Sequence, residues 1–327
     1  MRNSFFALTL SAMLLALIVS AEAQQQVNVP KIGHLGARST TTPGRGSDLF
    51  RRELRELGYV EGKSITFERR SADDRLDRLP ALADELVRLK VDVLVTSSTI
   101  GALAAKNVTR TIPIVFYTVT DPVAAGLVDS LARPGGNITG ITDIGAVLVG
   151  KRLELLKETI SKLSRVAVLW DPRNPGNVQQ WKEGLHPARE LGLQLHSMEV
   201  SSADKYEGAF NEATKARSAA LAVTSSPLVS SSRKQIADLA TKHRLPAIYP
   251  RADYVESGGL MSYGADQVEP YKRAASMVDK ILKGTKTADL PVEQPTKFEL
   301  IINLKAAKQV GLTIPPTVLA RADRVIR

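Results

Sequence analysis

The chain has 327 residues, a net charge of +10 and no cysteine. That length exceeds one ordinary core and points to two lobes, while the missing cysteine excludes disulfides, thiolate metal sites, cysteine nucleophiles and a lipidated cysteine anchor. The basic excess does not mark a nucleic-acid partner: Lys and Arg alternate with acids, as in DLFRRELREL, and no basic arm or aromatic-rich RNA motif occurs.

Residues 1–23 read as a secretory leader. Arg2 supplies the positive start, Phe5 to Val19 is almost wholly apolar, and Ala21-Glu22-Ala23 fits a small-x-small cleavage site. The run is short for a membrane span and has the wrong flanks. Cleavage after Ala23 and a soluble periplasmic protein are expected. Arg2 and Glu22 cancel, so the mature chain keeps its charge.

From VPKIGHLG onward, β-branched runs alternate with amphipathic helices. A strand into a Gly turn is followed by a helix from Asp48 to Leu57 and the strand SITFERR. A helix from Leu76 to Lys90 carries Leu79, Leu82, Leu86 and Leu89 on one face. VDVLVT, a helix from Ile100 to Val108 and IPIVFYTV complete a βαβαβ unit, which implies a parallel, doubly wound sheet. ARPGGNITGITD, rich in turn residues, reads as the first crossover.

The rhythm then restarts. Helices are expected at Val147–Ile160, Val178–Leu191, Tyr206–Lys215, Arg233–His243 and Gln267–Leu282. Between them lie the strands RVAVLWD, LQLHSMEV, AALAVTSSP, LPAIYP and GGLMSYG. The tail reads as a strand, a short helix and a terminal helix after Pro315-Pro316. The expected division is 28–140 with 255–288 in lobe one and 141–254 with 289–327 in lobe two, an α/β architecture of two Rossmann-like lobes with parallel sheets.

Catalytic and nucleotide motifs are missing. GYVEGKS has one spacer too few for a P-loop and precedes a strand. GAVLVGKR has Arg152 where a magnesium-binding hydroxyl belongs. There is no G-x-G-x-x-G after the first strand, no G-x-S-x-G and no H-E-x-x-H. His34, His186, His196 and His243 stand apart and read as structural. No cofactor, metal or catalytic role is assigned.

Ligands of open α/β sheets bind beyond the carboxyl ends of the strands. The loops there are polar, and the candidates they offer are Ala37 and Arg38, Ser97, Ser98 and Thr99, Thr120 and Asp121 in lobe one; Asp171, Asn174, Asn177, Ser225, Ser226 and Tyr249 in lobe two. Four successive hydroxyls, Thr96 to Thr99, exceed what one helix cap requires. Neutral donors at a helix N-terminus suit a carboxylate held reversibly, and that reading is favoured over capping alone. Asp121 and Asp171, each before a proline, serve equally well as caps or ligand contacts. Trp170 reads as core at the cleft edge.

The segments TSSTIGALAAKNVTRTIPIVFYTVTDPVAAGLVDSLARPGGNITGIT, RVAVLWDPRNPG and PTKFELIINLKAAKQVGLTIPPTVLARADRVI resemble the ABC-transporter substrate-binding proteins of the tryptophan/tyrosine-binding type. The resemblance spans essentially the whole mature chain. It implies a type I periplasmic binding-protein fold: two Rossmann-like lobes joined by a three-crossover hinge, with the ligand in the cleft. It also implies ligand-contacting hydroxyls at Ser97 to Thr99, an acid at Asp121, and polar contacts at Asp171, Asn174, Asn177, Ser225 and Ser226. The lobe-two loops WDPRNPGNVQQW and SSPLVSSS depart from the family's aromatic amino-acid pattern. A monomeric solute receptor for an inner-membrane ABC permease is expected. A sensor for a membrane signalling protein and a secreted Rossmann-like enzyme are the alternatives.

Overall fold

The computed structural model describes residues 29–37, 45–266 and 268–327; the expected leader and Arg38 lie outside them. The first sheet contains β1 (Lys31–Gly36), β2 (Thr66–Ser71), β3 (Val93–Ser97), β4 (Ile114–Val119) and β5 (Ile138–Thr142) in the order β2-β1-β3-β4-β5. All of its pairings are parallel. Its crossover helices are α1 (Arg45–Glu56), α2 (Leu79–Arg88) and α3 (Thr99–Val108).

The second sheet contains β6 (Arg165–Trp170), β7 (Gln194–Glu199), β8 (Ala220–Val223), β9 (Ala247–Tyr249), β10 (Met261–Ala265), β11 (Phe298–Asn303) and β12 (Arg324–Ile326). Their order is β12-β11-β10-β9-β8-β6-β7, parallel except that β10 and β11 run antiparallel. Its helices are α4 (Leu148–Thr159), α5 (Pro175–Glu190), α6 (Tyr206–Lys215), α7 (Pro227–Ser231), α8 (Arg233–Lys242) and α9 (Ala252–Glu256). Then come α10 (Glu269–Leu282), α11 (Leu304–Gln309) and α12 (Pro316–Leu319).

Alternation along each central strand feeds two cores per sheet. Val93 and Val95 of β3 join Val115 and Ile141 on one face. Leu94 joins Ile114, Phe116 and Ile138 on the other, under α2 and α3. Each fully buried Val, Leu, Ile or Phe contributes about 1.5–3 kcal/mol. In lobe two, Val166, Val168, Ala222 and Ile248 pack against α4 through Leu153 and Leu156. Ala167, Leu169, Leu221 and Val223 pack on the opposite face with Tyr206 and Phe210 of α6.

Two expectations are corrected. The strand GGLMSYG, placed with lobe one in the division 255–288, is β10 of the second sheet: Met261 pairs with Ile248 and Ile302 and enters the lobe-two core. Only the following helix returns to lobe one, where Ala274, Met277 and Val278 of α10 cover the face begun by Phe50 and Leu54 of α1. Among the described residues the chain therefore passes between lobes three times, after Thr142, after Ala265 and after Glu293. The expected terminal helix is a single turn, α12, because Asp323 exchanges bonds with Leu300 and draws the chain into the edge strand β12.

ARPGGNITGITD does carry the first pass, after Thr142, but five of its residues, Ile138–Thr142, form the strand β5. Its Gly140 has φ +154°, and a Cβ there would stand 2.0 Å from the Phe116 carbonyl oxygen and 2.7 Å from the Phe116 ring. The glycine that made the segment look like a turn lets β4 and β5 approach. Gly140→Ala is expected to lower unfolding free energy by about 2–4 kcal/mol in a urea titration; a loss below about 0.5 kcal/mol would show that the two strands part easily.

Candidate functional site

A cavity of about 650 Å³ opens where the carboxyl ends of the two sheets face each other. Lobe one contributes Ala37 after β1, Arg69 to Ser71 at the end of β2, Ser97 to Thr99 after β3, and Tyr117, Thr118 and Thr120 after β4. Lobe two contributes Asn174, Ser225 to Pro227 and Arg251, and the interlobe passes add Asp143, Gly145 and Asp266.

The four hydroxyls of the β3–α3 turn have separate tasks. Thr96 Oγ1 donates to the Leu35 carbonyl at 3.0 Å and ties β3 to β1 inside the core. Ser98 Oγ accepts from Gly101 N–H at 3.3 Å and caps α3. Thr99 Oγ1 accepts from Thr120 N–H at 3.3 Å, joining this turn to the next. Ser97 lies within hydrogen-bonding reach of Tyr117. Gly101 is required here, since a Cβ would meet Thr96 Oγ1 at 2.4 Å.

The backbone is strained beside the cavity. Ser98 has φ +99° and ψ 150°, a region nearly confined to glycine, and the β-branched Thr118 has φ +58°. Such conformations cost about 1–3 kcal/mol each.

In lobe two the candidate residues separate into wall and support. Asn174 caps α5 by accepting from Gly176 N–H at 2.9 Å, and Ser226 caps α7 by accepting from Val229 N–H at 3.2 Å; both line the cavity, as does Ser225. Asn177 stands behind them. Its Oδ1 accepts from Asp171 N–H and Thr224 Oγ1, and its Nδ2 donates to the Ser225 carbonyl, so it holds two loops together. Asp171 is engaged twice by the Arg173 guanidinium, at 2.9 Å each. Tyr249 is buried in a stack on Tyr254 at 5.0 Å. In lobe one, Asp121 Oδ1 accepts from Ala124 N–H at 3.0 Å in a local turn. These four do not form the cavity wall. Trp170 is buried and stacks on Trp181 at 5.7 Å.

Contact across the cleft is direct. Gly176 at the start of α5 faces the start of α3 so closely that a Cβ would lie 2.9 Å from Thr99 Oγ1 and 3.0 Å from Thr120 Cβ. The buried Gln180 donates to Thr120 Oγ1 at 3.4 Å from the same helix.

Against this geometry, residues 47–326 match the family model described as ABC transporter substrate binding protein. The chain belongs to this family. A tyrosine-binding protein of Clostridioides difficile (strain R20291) is 29% identical over 264 residues, covering 80% of this chain and 75% of its own. Two solved structures are each 26% identical and cover 91% of this chain and 99% of their own. One, from Streptococcus pneumonia in complex with L-Trp, gives a TM-score of 0.83. The other, a ligand-free, open substrate-binding protein with adhesive properties from Clostridium difficile, gives 0.65. Among the described residues of this substrate-binding protein, no helix is long and apolar enough to cross a membrane.

Several wall residues of the substrate-binding protein were not singled out from sequence. His34 opens onto the cavity from β1, with Nε2 3.0 Å from the Tyr117 hydroxyl. Burial and then the Arg69 charge pull its pKa down to about 4. Burial, followed by neighbouring Tyr271, raises that of Tyr117, so this pair is neutral. Asp143 accepts from Thr120 Oγ1 at 3.0 Å and Gly145 N–H at 2.8 Å. Its pKa is raised by burial, against the pull of those bonds and of Arg152 and Arg251. Burial opposes the charge on Arg251, but Asp253 outweighs it and holds the guanidinium above its usual range. An isolated His on a strand carries no sequence signal for a site. Arg152 does: it interrupts an apolar helical stripe, Leu148, Arg152, Leu155 and Leu156.

Ser98→Gly relieves the strained backbone at little cost to the cap, whereas Ser98→Ala keeps the strain and loses the cap. Denaturant titration should place the Gly variant about 1 kcal/mol above wild type and the Ala variant about 1 kcal/mol below. Equal stabilities would mean that the turn is relaxed.

His34 gives a second expectation. The unfolded chain takes its proton near 6.5, the folded one only near 4. Between those values the unfolded state binds more protons, so His34's contribution is complete above about 6.5 and is lost as pH falls toward about 4. His34→Gln should flatten this part of the stability–pH curve; a variant with the wild-type slope would acquit His34.

Proposed function

We propose that this chain is the solute receptor of an ABC importer, working in the periplasm after removal of residues 1–23 and capturing a small carboxylate-bearing organic molecule. The observation that carries the reading is the cavity of about 650 Å³ between two sheets that face each other with their carboxyl ends. Its size falls within the range of about 300–1,000 Å³ usual for small-molecule sites. Relatives named as tyrosine-binding and as an L-Trp complex support an amino acid or similar acid. Ser97, Ser98 and Thr99 would present neutral donors at the start of α3, and Ala37, Thr120, Asn174, Ser225 and Ser226 would complete the contact surface.

Mechanism follows from contact with both walls. A ligand touching both lobes favours the closed state by its differential affinity for that state. The closeness of Gly176 to Thr99 and Thr120, and the higher TM-score against the L-Trp complex than against the open protein, support a closed arrangement here. The closed monomer would dock on the permease and release its cargo as the lobes part, with no catalytic step.

The reading is tested by a thermal-shift screen of amino acids, aromatic acids and other carboxylates. A ligand at a hundredfold excess over its Kd should stabilise the protein by about 2.7 kcal/mol. Silence across all small molecules, with turnover of some substrate instead, would sink it. Ser98→Ala with Thr99→Ala should weaken carboxylate ligands more than their neutral analogues; equal loss for both would reduce the turn to a cap.

A further inference from the structure

Arg152 is 4% exposed, yet it forms part of the cavity wall. Its Nε donates to the Tyr263 carbonyl at 2.8 Å. Neither terminal nitrogen has a hydrogen-bond or ion-pair partner among the described residues. The orphaned polar atoms that are shut off from solvent lie elsewhere, on Thr66, Ser218, His243, Tyr249, Tyr254 and Glu269. The terminal nitrogens of Arg152 are therefore open to the cavity. Burial drags its pKa down to about 10, with Asp143 the main opposing charge.

A guanidinium on an apolar helix stripe is unfavourable unless something compensates it, and a leucine or methionine would fill the same space without that penalty. Asp143 compensates it only in part. No ion pair joins the two among the described residues, and Asp143 is already held by Thr120 and Gly145. What remains is a planar fork of donors, suited to a second, planar anion.

Asp143 is shared by the two features: it accepts from Thr120 beside the hydroxyl turn, and its charge acts on Arg152. One carboxylate reaching for both features would have to share that space with the Asp143 side chain, whereas two carboxylates can engage the two lobes separately. The geometry points to a ligand with two carboxylates, one read by the neutral hydroxyls of lobe one and the other by Arg152 of lobe two. The class is a dicarboxylic acid or an acidic amino acid; in the second case the ammonium falls beside Asp143. This inference rests on the solute-receptor reading and narrows its ligand.

Isothermal titration of the full chain with paired probes tests it: L-glutamate with L-glutamine, L-aspartate with L-asparagine, and succinate with its monoamide, beside L-tyrosine and L-tryptophan. At least one two-carboxylate probe should bind about 10–100-fold more tightly than its amide partner, the effect of one charge-assisted contact. Arg152→Gln should reduce that preference to a few-fold, and Arg152→Lys should keep part of it. Binding confined to probes with one carboxylate or none would overturn the inference while leaving a solute receptor. So would an unchanged preference in folded Arg152→Gln; if that variant does not fold, the wild-type ranking decides. Failure of every small molecule in the thermal-shift screen would instead remove the receptor reading itself.

Discussion

Both faces of a parallel sheet must be covered, and this requirement shapes the whole molecule. Before the chain first leaves lobe one it has laid α2 and α3 on one face but only α1 on the other. The exposed half of that second face is closed by α10, which arrives more than a hundred residues later. The chain must therefore cross to lobe two, return and cross again. The passes, the cleft between the lobes and the gathering of strand ends around it all follow from completing one core.

That arrangement decides the character of the cavity. Lobe one offers strand-end turns whose hydroxyls are divided between holding the scaffold and facing the cleft, with the strain of Ser98 and Thr118 stored at its rim. Lobe two offers loops braced from behind by Asn177 and Asp171. Three charged groups on the wall, Asp143, Arg152 and Arg251, sit where burial disfavours charge, so each depends on its neighbours or on what enters the cavity. A polar wall supported by rigid second-layer contacts costs little reorganisation when a ligand arrives.

Much of the fold was legible because helix and strand periods leave clear marks. Leu79, Leu82, Leu86 and Leu89 announce α2, and VDVLVT announces a strand buried on both faces. What failed was local evidence outvoted by pairing. Gly140 reads as a turn residue but serves close packing of β4 on β5. The tail after Pro315 reads as a helix but is captured by an open sheet edge. In the site, all thirteen candidates belonged to turns that sequence order places at strand ends, and eight of them, Ala37, Ser97, Ser98, Thr99, Thr120, Asn174, Ser225 and Ser226, line the wall. Asp121, Asp171, Asn177 and Tyr249 share those turns but point their polar atoms, or their rings, into the support behind.

The sequence by itself determined the α/β class, the two lobes, the family and the turns that gather at the cleft, because these depend on periodicity and on the order of elements along the chain. Only the tertiary structure decided which lobe owns β10, which side chain of each turn faces the cleft, and that His34 and Arg152 belong to its wall. Those outcomes depend on which surfaces meet across long separations. A histidine on a strand has no address until the sheet and helix on either side of it are in place, and an arginine breaking an apolar stripe marks an anomaly without saying what it faces.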